Sequence, residues 1–331
     1  MSVLVTGVAG FIGSSLAREL LIQGHEVVGI DNLNDYYSTE LKEERLLSLI
    51  EQPGFHFQKI NIANKSEIDQ IVREAKPEYI YHLAAQAGVR LPLESYGKYI
   101  DSNLTGFSNV AVSAAEFGVK QFLYASSSSV YGNSTQIPYR ETEMGLEQVS
   151  FYGATKYANE ILANTISKST NTRFRGMRFF TVYGPMGRPD MAYFRLIHCA
   201  LNRKQFHLFG DGTLRRDFTY ISDVTTSILL LGAELANREQ GHADVVNVGG
   251  GKPNSISELI SCINEITGGK IEVIRENPAM GDVKETVADH SLQNTLTGFV
   301  PQVKLQQGIE HVYEWAKQPM VRNNLGLWIN S

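Results

Sequence analysis

Cysteine is nearly absent from this chain: 331 residues contain two, Cys199 and Cys262. Both fall in apolar helical patterns, so a reducing compartment is expected, with no disulfide framework and no metal site. Long hydrophobic runs are also missing, since no apolar stretch approaches the roughly 18 residues of a membrane span. The start, Met1-Ser-Val-Leu-Val-Thr-Gly7, turns glycine-rich at once and lacks the basic start and apolar core of a secretion signal. A cytoplasmic protein without a membrane partner is expected. Positive charge is short too, because 30 Lys and Arg face 35 Asp and Glu for a net charge of −5. No basic field is left for nucleic acid, and any anionic ligand must be met by local Arg or Lys side chains or by backbone N–H groups. Solenoid repeats and low-complexity tracts are lacking. What remains is ordinary globular composition, 43% hydrophobic and 20% charged, over a length that suits two domains or one large α/β domain with an added lobe.

Within that composition the first 30 residues carry the clearest pattern. A β-branched apolar run at 2–5 leads into Gly7-Val-Ala-Gly10-Phe-Ile-Gly13, helical spacing follows over 14–21, Gly24 stops it, and 26–30 reads as a second buried strand. This is one βαβ unit. Its glycines let the chain turn tightly and bring backbone N–H groups close to a pyrophosphate at the helix N-terminus. Asp31 closes the second strand, where a carboxylate accepts hydrogen bonds from the adenosine ribose. No Arg or Lys occurs among Asn32-Leu-Asn-Asp35 to receive a 2′-phosphate, which favours NAD over NADP.

The alternation continues, with strands expected at 55–60, 79–83, 121–125 and 174–180 and helices at 38–49, 66–75, 104–117 and 151–167. Such regularity predicts a Rossmann-type, doubly wound parallel sheet whose ligands lie at the carboxyl ends of the strands. Gly7 to Gly13, Asp31, Ala84 and Ser126 all fall at such ends. Beyond residue 180 the texture becomes irregular: a Gly/Pro loop, helices at 191–201, 221–235, 255–266 and 305–315, and short strands at 206–209, 245–248 and 271–273. Residues 1–180 are read as a nucleotide-binding domain to which later segments return. Residues 181–331 are read as a smaller mixed α/β lobe that closes a cleft over a small polar substrate.

A hydroxyl cluster, Ala125-Ser-Ser-Ser-Ser-Val-Tyr131-Gly132, leaves the strand at 121–125, and Tyr152 and Lys156 follow on a helical pattern. Spacing of four places their side chains on one helix face. An ammonium beside a phenol favours the phenolate, which would let the Tyr serve as a base at about neutral pH.

Taken jointly, Thr6-Gly-x-x-Gly-x-x-Gly13, Asp31, His82-Leu-Ala-Ala85, Asn103, Ser127, Tyr152 with Lys156, and Arg216-Asp-Phe-Thr-Tyr-Ile-x-Asp223 resemble the extended short-chain dehydrogenase/reductase family over nearly the whole length. Within it, the segments 31–37, 85–90, 178–185 and 187–192 look like those of the UDP-glucuronate 4-epimerases. That resemblance implies a cytoplasmic homodimer with tightly bound NAD, acting on UDP-glucuronate and UDP-galacturonate. It implies that Tyr152 takes the sugar 4-OH proton, that Lys156 lowers the phenol pKa and holds the nicotinamide ribose, and that Ser127 bonds O4 with Ser128 and Ser129 beside it. NAD would be met by Gly7, Gly10, Phe11, Ile12, Gly13, Asp31, Asn32, Asn61, Ile62, Leu83, Ala84, Ala85, Gln86, Asn103, Tyr152, Lys156 and Phe180. The substrate would be met by Arg90, Thr181, Arg188, Met191, His207, Leu208, Phe209, Arg216 and Asp282, with Thr286 where relatives tune pocket width. Two departures stand out: Asn61 replaces the usual Asp at the adenine amino group, and the loop at 277–282 has no phosphate-clamping Arg.

Relatives share hydride removal from C4 and diverge at the 4-keto sugar. Dehydratases carry an Asp-Glu pair where this chain has Ser128 and Ser129, and decarboxylases carry Glu at the place of Ser129. Their absence favours epimerisation. A neutral UDP-sugar 4-epimerase of the UDP-glucose/UDP-galactose type, a UDP-glucuronate decarboxylase and a silent NAD-binding regulator remain the alternatives. Dimerisation is implied through the helices near 100–117 and 151–168.

Overall fold

A computed structural model describes residues 1–89, 91–143, 147–277 and 283–330. Its strands, in chain order, begin with β1 (Ser2–Thr6), β2 (Glu26–Asp31), β3 (Phe55–Lys59), β4 (Tyr79–His82), β5 (Gln121–Ser127) and β6 (Arg173–Phe179). They continue with β7 (Thr181–Tyr183), β8 (Phe206–Phe209), β9 (Arg215–Tyr220) and β10 (Ala243–Val248). Seven of these form one parallel sheet in the order β10-β6-β5-β4-β1-β2-β3. The chain winds outward in both directions from β1 and β4, so a crevice opens above their carboxyl ends.

Alternate residues of β1 feed opposite faces, as the pleat requires. Val3 and Val5 join one hydrophobic core, Leu4 the other. The first core is covered by α1 (Phe11–Ile22) and α2 (Thr39–Ile50), through Leu16, Leu20, Leu41 and Leu49. The second is covered by α3 (Lys65–Ala75), through Ile68 and Val72. After a short turn, α4 (Tyr96–Tyr99), and a π-helical stretch at Ile100–Gly106, α5 (Phe107–Glu116) adds Phe107, Val110 and Ala114 to that second core. Next come α6 (Phe151–Ser167), α7 (Ala192–Asn202) and α8 (Ile221–Leu235), the last returning Val224, Ile228 and Leu231 to the first core against α1.

The Rossmann-type α/β fold expected from the alternation is present. The later elements differ more from their patterns. The strand expected at 174–180 is present as β6 in the central sheet, whereas β7, at the start of the expected Gly/Pro loop, pairs with β9. The strand expected at 245–248 starts earlier and forms the edge of the central sheet beside β6. A second sheet combines β9 with β7, β11 (Pro253–Ser255) and, beyond α9 (Ile256–Thr267) and β12 (Val273–Glu276), with β13 (Glu285–Thr286). β12 pairs with β8, not at the expected 271–273 but further along. Strand β9 had no sequence signal because it opens Arg-Arg-Asp. The buried Asp217 carboxylate is satisfied by the N–H groups of Gly250, Gly251 and Ala288 at 2.9, 2.9 and 3.0 Å. The remaining helices are α10 (Ser291–Thr297), α11 (Leu305–Ala316) and α12 (Pro319–Asn330). Among the described residues no helix is long and apolar enough to cross a membrane.

Candidate active site

The turn after β1 is shaped by glycine where side chains cannot fit. Gly7 has φ 71°, and a Cβ there would sit 2.6 Å from the backbone nitrogen of Ala84. A Cβ on Gly13 would overlap the Gly7 carbonyl oxygen. Close approach of β1 to β4 is fixed by Thr6, whose Oγ1 lies 2.9 Å from His82 Nδ1 and accepts from Ala84 N–H at 3.1 Å. Burial, and secondly the Lys156 charge, pushes the His82 pKa down to about 3, so this imidazole is neutral. Asp31 braces the other side, accepting from Ala9 N–H at 3.1 Å and from Leu33 N–H at 2.9 Å.

At the end of β5, Ser127 Oγ accepts from Ser129 N–H at 3.1 Å and starts the tight turn Ser128–Tyr131. Ser150 caps α6 by accepting from Gly153 N–H at 3.0 Å, which sets the first turn carrying Tyr152. One turn on, Lys156 donates to Ala125 O at 2.9 Å, and its Nζ stands 5.9 Å from the Tyr152 ring centroid. Burial raises the Tyr152 pKa above its ordinary value, while Arg188 and a hydrogen bond with Ser127 pull it back down. Burial also lowers Lys156 to about 8. The Lys156 ammonium, held on a strand carbonyl, thus stands beside the phenol, and Arg188 is a second cation acting on Tyr152.

One cleft of about 800 Å³ collects these groups. Around the glycine turn it is walled by Gly7, Gly10, Phe11, Ile12, Gly13, Asp31, Asn32, Ile62, Leu83, Ala84 and Ala85. Its other end has Ser127, Ser128, Ser129, Tyr152, Lys156, Phe180, Thr181, Arg188, Met191, Arg216 and Thr286. Six further candidates are not on this wall. Asn103 is buried and spends its amide on Gln86 N–H, Gln86 O and Thr155 Oγ1, at 2.8, 3.2 and 3.1 Å. It braces the buried Gln86 from behind. Asn61 is exposed and accepts from Ala63 N–H at 3.1 Å. On β8, His207 and Phe209 face solvent, His207 pairing with Glu276 at 2.9 Å, whereas Leu208 points into the core. Strand alternation makes it impossible for all three to share one surface. Arg90 and Asp282 lie outside the described residues.

The cleft also contains residues that sequence reasoning missed. Lys42 arrives from α2, donating to Asn34 O and Oδ1 at 2.6 and 2.7 Å and facing the Tyr37 ring at 4.8 Å. A basic group thus stands near Asp31, although none follows it in sequence. Tyr36 reaches across to Asp190, OH to Oδ2 3.2 Å, and Asp190 forks with Arg188, Nε to Oδ1 3.0 Å. Among the described residues the carboxylates on the cleft wall are Asp31 and this engaged Asp190.

The donor set suits a dinucleotide: a glycine turn open to backbone N–H contact, an acidic strand end, and a buried Lys with one protein acceptor. Known proteins agree. The profile of the NAD dependent epimerase/dehydratase family matches residues 3–249. UDP-glucuronate 4-epimerase of Thermodesulfobacterium geofontis is 39% identical over 316 residues, covering 95% of this chain and 96% of that protein. The crystal structure of UDP-glucuronic acid 4-epimerase from Bacillus cereus, in complex with UDP-glucuronic acid and NAD, superposes with a TM-score of 0.89 at 34% identity, covering 96% of this chain and 99% of that one. The UDP-glucose 4-epimerase of Thermotoga maritima, with UDP-glucose, gives 0.87 at 28% identity, with 97% and 100% covered.

Proposed function

The chain belongs to the NAD-dependent epimerase/dehydratase family, and from that premise we propose that it is an isomerase that interconverts UDP-glucuronate and UDP-galacturonate at C4. The observation that carries this reading is a single cleft joining the glycine turn to Tyr152, Lys156 and Ser127, with hydroxyls rather than carboxylates at 128 and 129. NAD is the cofactor, and bound here it would supply the acceptor, and then the donor, of the C4 hydride. Gly7, Gly10 and Gly13 would hold its pyrophosphate and Asp31 its adenosine ribose. Lys156 has N–H donors beyond the one spent on Ala125 O, and these would hold the nicotinamide ribose.

Tyr152 Oη takes the proton of the sugar 4-OH and gives it back after the sugar has turned over, while Ser127 bonds O4. Dehydration would require an acid at the 6-OH and a base at C5. Ser128 and Ser129 supply neither, so the keto sugar is not drained by elimination. Loss of carbon dioxide from a β-keto acid is fastest when the breaking bond stands perpendicular to the ketone plane. Hydrogen bonds from Ser128, Ser129 and Thr181, with the charge of Arg188, would hold the carboxylate away from that angle. Arg216 would meet the diphosphate. We further propose a cytoplasmic homodimer with residues 1–180 as the nucleotide-binding domain and 181–331 as the lobe over the substrate.

Separate incubations with UDP-glucuronate and UDP-glucose, with product identification, test the reading. Formation of UDP-galacturonate from the first supports it. Carbon dioxide with a UDP-pentose, or turnover of UDP-glucose alone, overturns it.

A further inference from the structure

Arg45 on α2 is 1% exposed and is not on the cleft wall. Its guanidinium nevertheless joins the two loops that form the cleft. Nη1 donates to Ala9 O in the glycine turn at 3.0 Å and meets Tyr37 OH at 2.6 Å. Nε and Nη2 donate to Met186 O at 2.9 and 2.7 Å, and Nη2 also to Gly187 O at 3.0 Å. None of these acceptors is a carboxylate. Burying a cation against neutral acceptors alone is costly, so its geometry must be well satisfied. A planar fork with five donors reaches both loops at once; the three donors of a Lys, all on one nitrogen, would serve them only in part.

The loop is built to meet that fork. Met186 holds the left-handed conformation at φ 60°, rare for a residue with a side chain. A Cβ on Gly187 would overlap the Tyr193 hydroxyl, which lies 3.2 Å from Gly184 O. The next residue is Arg188.

We propose that Arg45 is a positioning residue: by holding the Met186 and Gly187 carbonyls against the glycine turn, it fixes where the Arg188 charge stands relative to Tyr152. This rests on the reading of Tyr152 as the proton acceptor. Among the described residues the charged and titratable groups around the phenol are Arg188 from this loop, Lys156 from its own helix and Tyr99 from α4, whose ring lies 6.1 Å away. Asp190 acts through its fork with Arg188. Arg188 shares the cleft wall with Tyr152 and draws it down against its burial.

The test compares Arg45→Met, Arg45→Lys, Arg188→Met and the Arg45→Met/Arg188→Met double variant. It follows the pH dependence of kcat on whichever UDP-sugar the unaltered holoenzyme turns over, together with bound NAD per chain and thermal unfolding. The acid limb of kcat in Arg45→Met should move alkaline by about one unit, a roughly tenfold loss at lower pH. Arg188→Met should move it the same way and the double variant no further. Bound NAD should fall in Arg45→Met, since Ala9 O also loses its donor. Arg45→Lys should recover part of the shift, and it serves alone if Arg45→Met does not fold. A purely structural role would lower the unfolding temperature and leave the limb in place. That result, additive shifts in the double variant, or an unmoved limb in Arg188→Met would each overturn the proposal. If the unaltered holoenzyme turns over no UDP-sugar, it is the proposed function that fails, not this relation.

Discussion

Arg178 on β6 grips Glu160 on α6 with two hydrogen bonds, Nε to Oε1 at 2.9 Å and Nη2 to Oε2 at 2.8 Å, and both side chains are out of solvent. The same carboxylate accepts from Ser126 Oγ at 2.5 Å. Glu160 stands one helical turn beyond Lys156, and Ser126 immediately precedes Ser127. This buried fork therefore fixes the helix bearing Tyr152 against the strand end bearing the serines.

Removing one partner of such a pair leaves the other charge buried and unmatched, which costs about 3–5 kcal/mol. Glu160→Gln keeps the shape and loses the charge. It should lower the thermal midpoint and reduce kcat more than it raises KM, because the reacting groups lose their mutual placement. Calorimetry and steady-state kinetics check both, and an unchanged midpoint would count against the pair.

Tyr152→Phe removes the hydroxyl and little else. Turnover should fall by about 10²–10⁴, the usual contribution of a positioned acid or base. Bound NAD should stay, because the glycine turn and Asp31 are untouched. Product formation near the original rate would exclude Tyr152 as the proton acceptor.

Two glycines separate steric need from backbone freedom. Gly13→Ala should give protein with native circular dichroism and little bound nucleotide, since its methyl would overlap the Gly7 carbonyl oxygen. Gly24→Ala meets nothing within 4 Å but has φ 80°, so it should cost about 1 kcal/mol and leave nucleotide content intact. Absorbance of nucleotide released from each variant is the measurement.

The nucleotide half of this architecture was legible because its signals are local. Apolar strands alternate with helices, and Gly7, Asp31 and Ala84 each sit where a strand stops. The other half depends on partners distant in sequence. Tyr36 and Asp190 meet across 154 positions, and Arg45 finds its carbonyls across 141 and 142. Nothing in the composition of either segment announces such a contact. Strand β9 was hidden because Asp217 is buried by virtue of three backbone N–H groups that belong to two other segments. Likewise strand alternation turns Leu208 to the core and His207 and Phe209 to solvent, a division that their joint place in the family resemblance does not carry.

Lys156 offers a stability test whose sign follows from burial. Its pKa is about 8 in the folded protein against 10.5 for the free side chain. Between these values the unfolded chain holds a proton that the folded chain has released, so stability rises with pH across this window and the cost of burying the ammonium persists below it. The slope from one proton is at most about 1.4 kcal/mol per pH unit. Tyr152 is shifted the other way and bears on stability only above about pH 10, where free phenols ionise. The interval from 8 to 10 therefore belongs to Lys156 among this pair. Urea denaturation of nucleotide-stripped protein at intervals through that range should show unaltered protein gaining on Lys156→Met as pH rises. Parallel curves for the two proteins would mean that Lys156 keeps its ordinary affinity for the proton, through solvent reaching the cleft floor.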